Sequence, residues 1–290
     1  MNKIIITGGL GYLGMELSKI YSGKSRELDI TVIDSNFVSS RVSQLKRWGI
    51  KFKQVDILDS NNLEKEIHDA DIIYHLAGIT DVATTKEDVN VEREKRVYDV
   101  GVKGTQNIIK LSNENTKIVF PSTHVIFEGL SKVVKDIKED YKPIPVLGYA
   151  KGKVESEKDI INSNKNFVIL RLGSLYGNSL DSTRLNIMPN LFSKIASLQG
   201  KITLYSGGDQ LKSLVSVYDV ARCMEFVGNN EKINNEIFNC VNENLTVKEV
   251  ANICKKVNKN LEVVSTKDPV PNKGYTLSNN KIKSEGFKFL

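Results

Sequence analysis

The chain has 290 residues, 40% hydrophobic and 26% charged, so a sizeable core can form and wholesale disorder is excluded. Its 41 Lys and Arg outnumber its 35 Asp and Glu to give +6, but the basic residues are dispersed rather than gathered in blocks, which argues against nucleic acid as a partner. Cys223, Cys240 and Cys254, like His68, His75 and His124, lack the spacing of a disulfide framework or a zinc site, and no apolar run reaches membrane-span length; a reduced, cytoplasmic protein with no membrane partner and no metal is expected.

Short β-branched runs at Lys3–Thr7, Ile30–Asp34, Phe52–Asp56, Ile72–Leu76, Ile118–Pro121 and Phe167–Leu172 read as buried parallel strands. Stretches of helical period lie between them, among them Val97–Leu111 and Tyr149–Ile161. This alternation predicts an α/β fold, a doubly wound parallel sheet with right-handed crossovers. After Gly173 the pattern loosens into a Ser/Asn-rich loop (Ser174–Asn186), a helical stretch at Pro189–Leu198 and a turn at Gly207-Gly208. Leu214–Val227 then reads as one more strand and helix. The expected division is a first unit of residues 1–173 to which 212–240 return, and a smaller C-terminal unit of 174–211 and 241–290.

Directly after the first strand comes Thr7-Gly8-Gly9-Leu10-Gly11-Tyr12-Leu13-Gly14, which opens a helix. Gly8, Gly11 and Gly14 suit a Rossmann-type dinucleotide loop: one glycine for the tight turn, one for close approach of a pyrophosphate, one for helix-on-strand packing. The helix N-terminus adds unpaired N–H groups and partial positive charge for phosphate. Asp34, ending Thr31-Val-Ile-Asp34, can accept from both ribose hydroxyls and repels a 2′-phosphate, favouring NAD over NADP. As an alternative, Asp34 merely caps its strand. Arg41 keeps NADP open if its loop folds back to meet a 2′-phosphate. Asp56, ending the next strand, is placed to reach an adenine amine or else serves as a turn residue.

Tyr149-Ala-Lys-Gly-Lys153 begins a predicted helix, and the four-residue offset puts both side chains on one face. A phenol with an ordinary pKa near 10 is a poor base at neutral pH, but a nearby ammonium favours its phenolate, which can then remove a hydroxyl proton.

The chain resembles the extended short-chain dehydrogenase/reductases, specifically the NAD-dependent epimerase/dehydratase group acting on nucleotide sugars. The resemblance is carried in order by Thr7–Gly14, Asp34, Asp56-Ile57, His75-Leu-Ala-Gly78, Ser122-Thr123, Tyr149-x-x-x-Lys153, Leu170–Gly177, Gly207–Gln210 and Val217-Tyr-Asp-Val-Ala221. It implies a cofactor site of Gly8, Gly11, Tyr12, Leu13, Asp34, Asp56, Ile57, Leu76, Ala77 and Gly78, completed by Tyr149 and Lys153. Tyr149 and Lys153 become the catalytic pair, and Thr123 the hydroxyl that bonds the reacting oxygen. Residues beyond Gly173 become the smaller unit that binds a nucleotide-diphosphate sugar, with Ser174 and Lys212 as substrate contacts. A homodimer through the helices near Val97–Leu111 and Tyr149–Ile161 is also implied.

Several positions depart from the family pattern. Gly101 replaces the usual Asn of Asn-x-x-Gly-Thr, a residue tied to a helix kink and to a water supporting Lys153. Lys212 stands where an arginine usually grips the diphosphate; it is either a weaker grip or a solvated lysine. Ser174-Leu-Tyr-Gly177-Asn178 lacks the usual Asn and Pro. His124-Val125 follows Thr123 where 4,6-dehydratases carry an Asp-Glu pair, which disfavours dehydration; His124 itself is either a substrate donor or a structural imidazole. The leading expectation is a nucleotide-sugar epimerase acting at C4. The alternative is a nucleotide-4-keto-sugar reductase with exchangeable NAD(P)H, suggested by the run Ser122–Gly129, and a third is a catalytically weak nucleotide-binding scaffold.

Overall fold

The computed structural model describes residues 2–24, 27–80, 91–270 and 274–290. The first part alternates β1 (Lys3–Thr7), α1 (Tyr12–Tyr21), β2 (Asp29–Asp34), α2 (Ser39–Arg47), β3 (Lys51–Gln54), α3 (Ser60–Ile67), β4 (Ile72–His75), α4 (Val91–Leu111) and β5 (Lys117–Thr123). There follow β6 (Val134–Ile137), α5 (Gly148–Ile161), β7 (Asn166–Leu172), β8 (Ser174–Tyr176), α6 (Met188–Ser197), β9 (Lys201–Leu204), β10 (Leu211–Ser216) and α7 (Val217–Asn229). The chain closes with β11 (Glu236–Cys240), β12 (Glu243–Thr246), α8 (Val247–Val257), β13 (Glu262–Ser265), β14 (Tyr275–Leu277) and α9 (Asn280–Ser284).

Seven strands form the main sheet in the order β11-β7-β5-β4-β1-β2-β3, every pairing parallel. The two-residue period sends alternate side chains to opposite faces. Ile4, Ile6, Ile30, Val32 and Tyr74 join one core with residues of α1 and α7. Ile5, Ile33 and Ile73 join the other with residues of α3, α4 and α5. The β-branched runs of the inner strands are therefore buried on both sides, as a doubly wound sheet requires, whereas β3, expected to be buried, is an edge strand with no buried residue.

Beyond β7 the chain builds smaller sheets: β12-β10-β8, β13-β9 and β14-β6. The segment expected to return to the main sheet divides. Its strand β10 pairs with β8 and β12 in the three-stranded sheet, while α7 packs against α1 and β11 extends the main sheet beside β7. The final residues also depart from expectation, since Ile282 and Phe287 bury themselves in the core on the α1/α7 face. Within the stretch expected to be a loop, Ser174–Tyr176 forms β8, because Leu214–Ser216 of β10 offers it a parallel ladder.

Strand order reverses between β1 and β4, and at such a switch point the crossovers leave to opposite faces and open a crevice at the carboxyl ends of the strands. Those ends are Thr7 and His75, paired in register. Among the described residues, no helix is long and apolar enough to cross a membrane.

Candidate active site

The crevice is a cleft of about 1080 Å³. Its floor is the glycine loop. Gly8 has φ +64°, and a Cβ there would lie 2.6 Å from the Ala77 Cα; a Cβ on Gly14 would lie 2.5 Å from the Gly9 Cα. These two glycines are demanded by backbone contact within the protein. Gly11 differs: its Cβ would meet only the Gly8 carbonyl, at 3.1 Å. Gly11 is also the N-cap of α1 and supplies no capping side chain, so the first-turn amides of α1 stay open to an anion.

Gly8, Gly11, Tyr12, Leu13, Asp34, Asp56, Ile57, Leu76, Ala77 and Gly78 all line the cleft. Asp34 accepts from the Leu10 amide at 3.1 Å and from the Asn36 amide at 3.0 Å, so its carboxylate is oriented by backbone at the end of β2. Asp56 accepts from the Leu58 amide at 2.9 Å. Arg41 is committed elsewhere. Its Nε donates to Asp181 at 2.9 Å, its Nη2 to the Asp181 carbonyl at 2.8 Å and its Nη1 to the Leu10 carbonyl at 2.7 Å. The guanidinium thus serves the fold and is not poised for a 2′-phosphate.

The opposite wall holds Thr123, Tyr149, Lys153 and Ser174. Tyr149 follows Gly148 at the start of α5, whose amide is held by the Glu94 carboxylate of α4. Burial pushes the Tyr149 phenol up to about 12, opposed by the charge of Arg184 and by a hydrogen bond with Thr123. The expected activator, Lys153, is turned aside: its Nζ donates to the Pro121 carbonyl at 2.7 Å and lies 4.2 Å from the centre of the Phe120 ring. Burial lowers Lys153 to about 8, countered by Glu157. An acidified phenol next to an ammonium is therefore not what this state contains. Tyr149 is protonated at neutral pH, and the cation whose charge it feels is Arg184.

Lys212 and His124 lie close together at this wall. Lys212 is not among the residues that line the cleft, and it is not a solvated lysine either. Burial lowers its pKa, countered by the neighbouring Glu128. His124, although on the cleft wall, is a structural imidazole. Its ring nitrogens bond the Tyr275 hydroxyl at 3.0 Å and the Ser174 hydroxyl at 3.1 Å. Burial and Lys212 hold it down at about 3, so it stays neutral. Ser174 consequently faces the cleft with its hydroxyl already engaged.

Gly101 leaves its own signature. Its carbonyl accepts from Thr105 at 2.7 Å and from Ser156 at 3.4 Å. A cavity of about 20 Å³ bounded by Gly101, Thr105, Tyr149, Lys153 and Ser156 lies alongside, large enough for one water. Hydroxyls from α4 and α5 thus occupy the neighbourhood of the missing amide. Thr105 also bonds the Nε2 of His75 at 3.1 Å, and the His75 Nδ1 meets Thr7 at 2.9 Å. A buried polar chain so connects the end of β1 to the helix pair behind Lys153.

Sequence reasoning missed one residue, Arg184, and one role of Tyr12, which it had placed only in the cofactor site. Tyr12 donates to the Gly177 carbonyl at 2.5 Å and accepts from Asn190 at 3.2 Å, pinning α1 to the segment after β8. Arg184, in that segment, reaches across the cleft to Thr80. A lone arginine in a Ser/Asn-rich stretch carries no spacing signal, and only the fold brings it to the phenol.

A sequence model of the NAD dependent epimerase/dehydratase family matches residues 4–240. The chain belongs to that family. Among relatives of this epimerase/dehydratase-family protein, UDP-glucose 4-epimerase of Mycoplasma genitalium is 26% identical over 285 residues, covering 88% of this chain and 81% of that protein. UDP-N-acetyl-alpha-D-glucosaminuronate decarboxylase of Bacillus cytotoxicus is 25% identical over 260 residues, covering 86% of this chain and 78% of that protein. The crystal structure of UDP-glucuronic acid 4-epimerase from Bacillus cereus, in complex with UDP-glucuronic acid and NAD, superposes with a TM-score of 0.82 at 20% identity, covering 99% of this chain and 94% of that one. The last likeness establishes the Rossmann-type fold.

Proposed function

We propose that the protein is an NAD-dependent nucleotide-sugar epimerase that inverts C4, with Tyr149 as the acid and base. The observation that carries the reading is that the Tyr149 phenol and Thr123 line the same cleft as the glycine loop and Asp34. The donors fit NAD: the uncapped N-terminus of α1 and the Gly11 approach suit a pyrophosphate, and Asp34 with a preoccupied Arg41 suits an unphosphorylated ribose. Asp56 and Ile57 border the adenine end, and Leu76, Ala77 and Gly78 run along the wall between. Bound NAD supplies the acceptor and then the donor of the C4 hydride.

Tyr149 Oη accepts the C4 hydroxyl proton and, after the planar 4-keto sugar has turned to present its other face to the returning hydride, gives the proton back to the same oxygen, which Thr123 holds. A phenol held near 12 is an acid that becomes a base only when positive charge enters beside it. Lys153 supplies part of that charge once its ammonium leaves the Pro121 carbonyl and turns toward the phenol. Relatives named as a UDP-glucose epimerase and a UDP-sugar acid decarboxylase support a UDP-sugar as substrate class.

The test is incubation of the full chain with a panel of UDP- and dTDP-hexoses and catalytic NAD, with products resolved by nuclear magnetic resonance. The C4 epimer is expected without net cofactor turnover. Absence of any epimer across the panel, together with stoichiometric NAD(P)H oxidation on a 4-keto sugar, overturns the reading in favour of a reductase.

A further inference from the structure

Arg184 differs from the arginines that hold carboxylates. Arg41, Arg171 and Arg222 hold Asp181, Glu157 and Asp219 at 2.8–2.9 Å. Among the described residues Arg184 pairs with no carboxylate; its side chain donates to the Thr80 hydroxyl at 2.6 Å and to the Thr80 carbonyl at 3.1 Å. Those bonds use one donor on each terminal nitrogen of a group that carries five. Its backbone is held as firmly: the buried Asn190 donates to the Arg184 carbonyl at 2.9 Å and accepts from the Gly177 amide at 2.9 Å. Arg184 is therefore a half-buried cation, fixed at both ends, lining the cleft between Thr80 and Tyr149.

A guanidinium whose partners among the described residues are neutral, beside a reacting centre, can take an anion from the ligand, and its planar fork matches a carboxylate in two parallel bonds. We propose that Arg184 is a specificity residue that pairs with a carboxylate on the sugar ring, making the preferred substrate a nucleotide-linked hexuronic acid. This rests on the 4-epimerase reading, because it is Tyr149 as the C4 acid and base that puts the sugar ring, rather than the diphosphate, within reach of the Arg184 charge. Two observations place the charge there: Arg184 lines the same wall as Tyr149, and it is the strongest influence opposing burial at that phenol. With C4 at Tyr149, the substituent on C5 is the next group along the ring, and in a uronic acid that substituent is the carboxylate.

The experiment is calorimetric titration of the NAD-loaded full chain with UDP-glucuronate and with UDP-glucose, on the natural protein and on Arg184→Gln and Arg184→Lys. The natural protein is expected to bind both. Arg184→Gln should weaken UDP-glucuronate about 10- to 100-fold, the loss of a charge-assisted pair, and change UDP-glucose less than about threefold. Arg184→Lys should fall between, since it keeps the charge but not the fork. Equal weakening of both ligands assigns the cation to the diphosphate, and no change assigns it to the fold; either overturns the inference and leaves the epimerase reading standing. Failure of the natural protein to bind either ligand overturns both.

Discussion

The two sides of the cleft are built on different logic. The glycine-loop side is backbone: Gly8 and Gly14 are fixed by contacts that no Cβ would survive, and Asp34 is aimed by two amides. The sugar-facing side is assembled from single side chains supplied by distant segments, with Thr123 from β5, Tyr149 from α5, Ser174 from β8 and Arg184 beyond it. Backbone constraints oblige a sequence to keep a spacing. Side-chain constellations oblige only the fold, so the two sides should respond differently to mutation.

The largest expected effect is on chemistry alone. Tyr149→Phe should lower kcat by about 10²- to 10⁴-fold, the usual share of a positioned acid–base group, while NAD binding measured by fluorescence quenching stays within about threefold. A parallel collapse of NAD affinity would mean that the two sides are not separable.

Next comes a paired test of the backbone side. Gly8→Ala places a Cβ 2.6 Å from the Ala77 Cα at φ +64°. A non-glycine residue in that conformation costs roughly 1–3 kcal/mol before any overlap, so thermal unfolding should drop by roughly 5 °C or more. Gly101→Asn, which restores the family amide, meets nothing within 4 Å of its Cβ and should leave stability within about 0.5 kcal/mol. Equal melting temperatures for the two variants would break the distinction.

The smallest expected effect separates the sides by pH. Burial holds His75, beneath the cofactor wall, and His124, behind the sugar wall, at about 3. In the unfolded chain both titrate near 6.5, so below that pH the unfolded state binds more protons. Their stabilising contribution is complete above pH 6.5 and is lost as pH falls toward 3, by on the order of 1 kcal/mol per pH unit for each. Urea unfolding at pH 7, 6 and 5 should show this slope, and His124→Asn should reduce it by about half of the histidine share. An unchanged slope would show that His124 is not held neutral in the folded protein.

The same contrast explains what could be read from the sequence. The doubly wound sheet was visible because buried parallel strands demand unbroken β-branched runs such as Lys3–Thr7 and Phe167–Leu172. The loop Gly8–Gly14 and Asp34 were visible because the first turn fixes their spacing, and Tyr149 and Lys153 because one helix face does. What one turn of helix could not reveal is which way Lys153 points: the Pro121 carbonyl and the Phe120 ring, both on β5, take its ammonium. The surroundings of Lys212 were hidden for a similar reason. Its alternation on β10 is fixed by pairing with β8 and β12, and the half-buried Glu128 whose charge it feels comes from a segment more than eighty residues earlier. Arg184 gave no sign because nothing local fixes it; its anchors are Thr80 and Asn190.

The account turns on hydride leaving and re-entering at C4 within a closed cleft while Tyr149 handles the proton. UDP-glucose or UDP-glucuronate bearing deuterium at C4, incubated with the protein and catalytic NAD, reads this directly by mass spectrometry and nuclear magnetic resonance. The account predicts a C4-inverted product that retains its deuterium, formed by the natural protein and lost in Tyr149→Phe. An epimer with deuterium washed out to solvent, or one formed equally well by Tyr149→Phe, would contradict it.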